Sequence, residues 1–438
     1  MALGARRTTG WKATVAVAMS NYIEAGSIIA IAVSLTNWQD RFGVSDTAVG
    51  LLAALSANAF GAAVGAALGG PLCDRLGRKF IYTYDLVLYM VGVLLATFAV
   101  GYSMLLVAFV LTGIAVGAGV PASWTYIAEE APADQRARRV GTAQLAWSLG
   151  PVVGFALAVA LGGLGLLGNR LIFAHLFVVA ALTWWVRQGL PESAIWKDDR
   201  ATTASGGRPG GLRGLFSRRA NLTALLFLFG VYAFWNTVAG QAGIFMPRVY
   251  EAAGVQSATE QNLLQVLVWA CTCLATVVGF MRYGDRVSRR LLYALGAVLG
   301  IAAWALLVFA DGTLPTLLGY ALLWGLGAGI GAQAFYSVWT SELFATPYRA
   351  SAQGVLFFAA RCAVGVLSYW FPSLLREQGV PFVGTLMIAL LVVAAVVGTV
   401  FAPRTQGRSL QQIERERYGE VVDLPADAAG ATTDSARR

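Results

Sequence analysis

A chain of 438 residues that is 57% hydrophobic and only 13% charged is not an ordinary water-soluble fold, in which about a quarter of residues carry charge. Its mean hydropathy of +0.64 requires a polytopic membrane protein. The net charge of +9 then reflects loop bias, and no nucleic-acid partner is expected. Four cysteines without CxxC or Cys/His spacing, and a single histidine, His175, argue against a metal site. No cofactor is expected.

The N-terminus, MALGARRTTGWK, is basic and has no small-residue cleavage site after its first apolar run. It reads as the start of a retained helix, not a removed signal. Apolar runs of membrane-crossing length follow near 12–37, 47–70, 80–100, 103–128, 138–162 and 170–189. A polar stretch then runs from Pro191 to Arg219 and includes GGRPGGLRG, the composition of a flexible or partly interfacial linker. A second set lies near 220–246, 262–282, 288–310, 314–338, 349–374 and 381–402. The tail starts helix-like and ends polar. The expected organisation is a six-helix bundle over 1–190, a linker over 191–219, a second bundle over 220–403 and a tail over 404–438. Of the Lys and Arg residues, only Arg41, Arg170, Arg248 and Arg376 fall in loops of one parity. That asymmetry places both termini in the cytoplasm, in a plasma-type membrane.

The two sets repeat each other. Asp74-Arg75-Leu76-Gly77-Arg78-Lys79 answers Asp285-Arg286-Val287-Ser288-Arg289-Arg290. Glu129 and Arg136 answer Glu342 and Arg349, each pair seven residues apart. Pro191-Glu192-Ser193 answers Pro403-Arg404-Thr405. All share an offset of about 212. Two homologous halves around a central site is the layout of a rocking transporter.

The turn Gly70-Pro71-Leu72-Cys73-Asp74-Arg75-Leu76-Gly77-Arg78-Lys79 resembles the loop between helices 2 and 3 of the major facilitator superfamily. TYIAEEAPADQR, LPESAIW, SELFATPYRASAQG and PRTQGRSLQQIE resemble motifs of its sugar-transporter-like branch. That branch covers sugar and polyol symporters, aromatic-acid symporters and organic-ion carriers. The resemblance implies an all-α protein of twelve transmembrane helices in two pseudo-symmetric bundles. It implies proton-coupled transport by alternating access, with no enzyme activity. It assigns gating roles to Gly70, Asp74, Arg75, Gly77, Arg78, Glu129, Arg136, Asp285, Arg286, Glu342 and Arg349. The usual hexose set is not intact. Phe109 stands where sugar porters have an Arg, and Phe234 and Trp235 stand where they have paired Gln.

Transport needs binding and proton movement, not a covalent step. Ionisable groups inside a membrane are costly and mark function. Glu24, mid-helix in SNYIEAGSI, sits in a Glu-x-Gly that resembles the coupling acid of sugar symporters. Asn21, three residues earlier, shares its face. Arg361 lies ~18 Å along its helix from Arg349 and could hold an anionic solute or balance Glu24. Asp85 reads as a cytoplasmic-gate partner and, second, as a proton relay. His175 reads as a structural group. Gln144 matches the family's helix-5 Gln that contacts sugar hydroxyls, and Trp147 shares its face. Trp235, Asn236, Gln241, Gln333 and Tyr336 complete the candidate binding set, because amides bond hydroxyls and aromatic rings cover apolar ring faces. The expected partners are a small solute, protons and lipid, with the protein a monomer. Uptake of a sugar or polyol leads, organic-acid symport follows, and export of a drug or metabolite comes third.

Overall fold

The computed structural model describes residues 11–132, 135–190, 192–193, 196–197 and 212–419. Among these, eleven helices are long and apolar enough to cross a membrane. Ten of them form spans 1 to 10: Trp11–Ala32, Asp46–Leu76, Arg78–Thr97, Tyr102–Glu130, Arg136–Leu164, Leu166–Gln188, Arg219–Ile244, Ala258–Tyr283, Arg289–Phe309 and Leu314–Leu343. The eleventh helix runs for 52 residues, Arg349–Val400, and breaks at Gly379, where φ is +74° and ψ is −179°. Fifty-two residues would extend ~78 Å, more than twice a ~30 Å hydrocarbon core. Gly379 and Pro381 therefore divide it into spans 11 and 12, and the chain crosses twelve times, in two sets of six.

Most of the expected linker, and the tail beyond Gly419, lie outside the described residues. Of the linker the structure places a short helix, Leu212–Ser217. The tail begins as expected with a helix, Leu410–Tyr418, which starts at a capping box on Ser409 and Gln412. Ser409 and Gln412 each satisfy a backbone N–H that the helix start leaves free. Tyr418 ties this helix to the second half by donating to Asn221 Oδ1 at 2.5 Å and accepting from Ala345 N at 3.3 Å.

The halves meet through small residues. A Cβ on Gly70 would stand 2.7 Å from the Ala350 carbonyl, and one on Gly354 would stand 2.6 Å from that of Ala66. Spans 2 and 11 therefore touch backbone to backbone. Spans 5 and 8 meet at Trp147 and Trp269, whose rings cross edge to face at 5.1 Å. Three spans are interrupted, spans 2 and 8 where they meet the other half and span 10 where it packs on Gly296 of span 9. Span 2 breaks at Ser56–Ala59. Span 8 carries a π segment at Ala275–Phe280. Span 10 breaks at Gly331, with φ −99° and ψ −142°. In a membrane, backbone of this kind is tolerated where protein covers it.

Candidate functional site

Three layers of contact cross between the halves. The first lies on the face that carries the Gly70–Lys79 turn. Arg78 donates to Glu129 at 2.7 Å, and Arg289 donates to Glu342 at 2.7 Å, each within its own half. Across the halves, Arg136 reaches Glu342 at 2.9 Å and Arg349 reaches Glu129 at 3.3 Å. Asp74 Oδ2 accepts from Ser351 N at 2.8 Å and from Ser351 Oγ at 2.7 Å. Asp285 accepts from Ala137 N and Arg138 N, both at 3.4 Å. Burial holds the Asp285 carboxyl above its ordinary range, against the opposing pull of Arg289 and these hydrogen bonds. Glu192 accepts from Arg78 N and Lys79 N, both at 3.0 Å, where a helix start favours a negative group. Gly77 sits beside it at φ +97°, where any Cβ would strike the Glu192 carboxylate. The repeat found in the sequence is thus a physical one: each half supplies an acid, a base of its own, and a base for the other half. Arg75 and Arg286 lie exposed on this face.

The second layer is central. Glu24 is 1% exposed and Arg361 is 2% exposed, and their side chains form an ion pair between spans 1 and 11. Trp147 Nε1 donates to the other Glu24 oxygen at 3.1 Å. Arg361 Nη1 donates to the Asn58 carbonyl at 2.9 Å, and its guanidinium lies 4.5 Å from the centre of the Phe357 ring. A small cavity opens beside the pair, lined among others by Asn58, Trp147, Asn236, Trp269 and Arg361. Two buried side-chain oxygens among these residues, Asn58 Oδ1 and Asn236 Oδ1, have no hydrogen-bond partner. Buried polar atoms are nearly always paired, so these acceptors are suited to a ligand that brings hydroxyls.

The third layer lies on the far face. Asp46 pairs with Arg248 at 3.5 Å and with Arg376. Arg248 also donates to Gln39 Oε1 at 2.6 Å. The chain is therefore closed on both faces around the central pair.

The other expected site residues divide. Asn21 bonds within the first half, donating to Ser123 Oγ at 3.0 Å and accepting from Trp124 Nε1 at 2.8 Å. Gln144 is buried with an unpartnered Oε1. Asn236 donates to Tyr232 Oη at 3.3 Å, and Tyr232 stacks on Tyr336 at 3.8 Å. Gln333 is buried on the lower segment of span 10. Gln241 bonds Val364 O and Ser368 Oγ, pinning span 7 to span 11. Trp235 turns instead into a cleft within the second half, beside Tyr293 and Trp324. Asp85 stands apart from the turn-face network, in a small cavity of the first half with Ser20, Tyr89 and Gly119. His175 shares a hydrogen bond with Tyr22 Oη at 3.0 Å. Phe109, in the place of the missing Arg, packs on Trp38 at 5.4 Å. The base that meets Glu24 comes from the other half.

Sequence reasoning passed over Asn58, Trp124 and Trp269. Asn58 could have been found: a lone amide inside the apolar run ALSANAF is costly in hydrocarbon for the same reason as Glu24.

The sequence profile of the Major Facilitator Superfamily matches residues 13–367. The chain is 42% identical over 413 residues to the minor myo-inositol transporter IolF of Bacillus subtilis, covering 93% of this chain and 94% of that one. It is 24% identical over 367 residues to a cis,cis-muconate transport protein of Acinetobacter baylyi, covering 78% and 82%. Among solved structures it is similar to the proton:xylose symporter XylE bound to 6-bromo-6-deoxy-D-glucose. The TM-score is 0.79 at 19% identity, with 93% of this chain and 99% of that one covered. The chain belongs to the Major Facilitator Superfamily, in its sugar-transporter-like branch, and is a membrane transporter rather than an enzyme.

Proposed function

We propose that the protein imports a neutral polyol of the inositol class together with protons. The observation that carries this reading is the central pair. Arg361 already has its charge met by Glu24 and its Nη1 engaged by the Asn58 carbonyl. A carboxylate solute would have to displace Glu24 from it. A neutral polyol need not, and its hydroxyls suit the free oxygens of Asn58 and Asn236. The rings of Trp147 and Trp269 cover the same cavity, as an apolar ring face requires. The 42% identity to a myo-inositol transporter supports the same class.

In this reading Glu24 carries the proton. Ionised, it holds the halves together through Arg361. Protonated, it loses the ion pair and the halves can part. The turn face is cytoplasmic, both termini lie on that side, and the protein works as a monomer in the plasma membrane.

The test is uptake of radiolabelled myo-inositol into proteoliposomes with an imposed pH gradient, acid outside. Accumulation that collapses with a protonophore is expected. A second reading, organic-acid symport, is favoured by the likeness to the muconate transport protein. Under it a labelled dicarboxylate accumulates and unlabelled inositol does not compete.

A further inference from the structure

Span 2 is cut without a proline. Ser56 Oγ donates to the Ala53 carbonyl at 2.8 Å and accepts from Asn58 N at 3.0 Å. A serine side chain that takes the backbone's own bonds is a recognised cause of a helix break. Below the break, Phe60–Leu76 packs into its own half: a Cβ on Gly61 would meet Gly113 Cα at 3.0 Å. Above it, Asp46–Leu55 is held by the other half. Asp46 pairs with Arg248 and Arg376. A Cβ on Gly50 would stand 3.3 Å from the Ser368 carbonyl.

Asn58 stands at the joint and is fully buried. Its carbonyl takes Arg361 Nη1 at 2.9 Å, and its Nδ2 donates to the Gly240 carbonyl at 3.3 Å. That second bond fixes the amide, because only the NH₂ end can face a carbonyl. Oδ1 is left free on the wall of the central cavity. One residue thus touches the cavity, the central base and the joint of the outer half-helix.

We infer that Asn58 is a solute-binding residue that ties occupancy of the cavity to closure of the far gate. Its Oδ1 accepts one hydroxyl of the solute. The rest of the residue locks the outer half of span 2 against spans 7 and 11. The inference rests on the polyol reading above.

The experiment uses the full-length chain in nanodiscs, with myo-inositol and a panel of singly deoxygenated inositols as probes. Spin labels at Arg41 and Glu377, on opposite halves of the far face, read the gate, with the four cysteines replaced by serine. In the wild type, one deoxy position should bind about threefold to tenfold more weakly, the worth of one hydrogen bond, and myo-inositol should shorten the label distance. In Asn58→Ala that one position should bind as well as myo-inositol does, and the distance should stay long. Asn58→Asp keeps an acceptor but loses the donor to Gly240. It should retain the deoxy penalty while closing less fully, and it guards against a folding defect in the alanine variant. An unchanged deoxy profile and normal closure in Asn58→Ala would overturn the inference alone. A wild type that binds no member of the panel would overturn the polyol reading and this inference with it.

Discussion

The central pair gives the sharpest prediction. In Glu24→Gln the charge on Arg361 stays, buried at 2% exposure, with only neutral company: the new amide oxygen, the Asn58 carbonyl and the Phe357 face. Breaking a buried pair by removing one partner costs ~3–5 kcal/mol. The cost falls on states in which Arg361 is enclosed, because an open state lets water reach it. At 1.36 kcal/mol per decade, the closed fraction should drop by roughly two to nearly four orders of magnitude. Arg361→Gln should do the same, stranding Glu24, with Trp147 its only remaining partner. The double change removes both charges and should restore closure, so the two effects are strongly non-additive. The assay compares solute exchange, which needs no proton, with accumulation driven by a pH gradient. Glu24→Gln should lose accumulation, and the double variant should regain exchange without it. Undiminished accumulation in Glu24→Gln would refute the coupling role. Two additive single effects would refute the pairing argument. An affinity loss in Arg361→Gln that is the same at every pH would point instead to direct contact with an anionic solute.

Asp74→Asn keeps one acceptor for Ser351 but loses the second lone-pair-rich oxygen and the charge, so turnover should slow while equilibrium binding stays within a few-fold; a tenfold loss of binding at unchanged turnover would contradict this. Glu129→Gln and Glu342→Gln occupy equivalent positions in the repeat, each between two arginines. Their losses in thermal stability, measured in one detergent, should agree within about 1 kcal/mol and each reach ~3 kcal/mol or more. The raised Asp285 carboxyl sets a pH dependence. Closure of the turn face binds a proton there more readily than the open form does, so its contribution is full below the ordinary Asp pKa of ~3.9. It is lost as pH rises through the raised value. Distances between labels on the turn face should lengthen as pH rises through that raised value, and Asp285→Asn should flatten the change.

The architecture was open to sequence reading because a membrane imposes it. Apolar length sets each crossing, and the charged turns at one offset give the two-fold repeat, now seen as Arg78–Glu129 matched by Arg289–Glu342. Glu24 and Arg361 stood out because buried charges are rare. Their pairing was one of two readings; only tertiary placement decides which acid a buried base meets. Trp235 and Asn236 show the finer limit. Neighbours on a helix point ~100° apart, so both could not face one cavity, and the cavity took Asn236. Asp85 was placed by its distance from the turn, but span 3 turns that side of the helix into its own half. Asp46 was missed because a far-face acid in a loop looks like any solvated charge until two arginines from the other half close on it.

The turn-face lattice and the central pair differ in one respect with consequences for leak. When the turn face opens, Glu129 gives up Arg349 but keeps Arg78, and Glu342 gives up Arg136 but keeps Arg289. Each glutamate falls back on a base in its own half. Glu24 and Arg361 have no such second ion partner among the described residues. Under the proposed coupling, slippage of a deprotonated carrier that still holds solute is therefore resisted at the centre, not at the gates. The gates can be loosened and the protein will cycle faster or slower. If the centre is loosened, the proposed carrier will cycle without its proton and let the solute it has accumulated run back out.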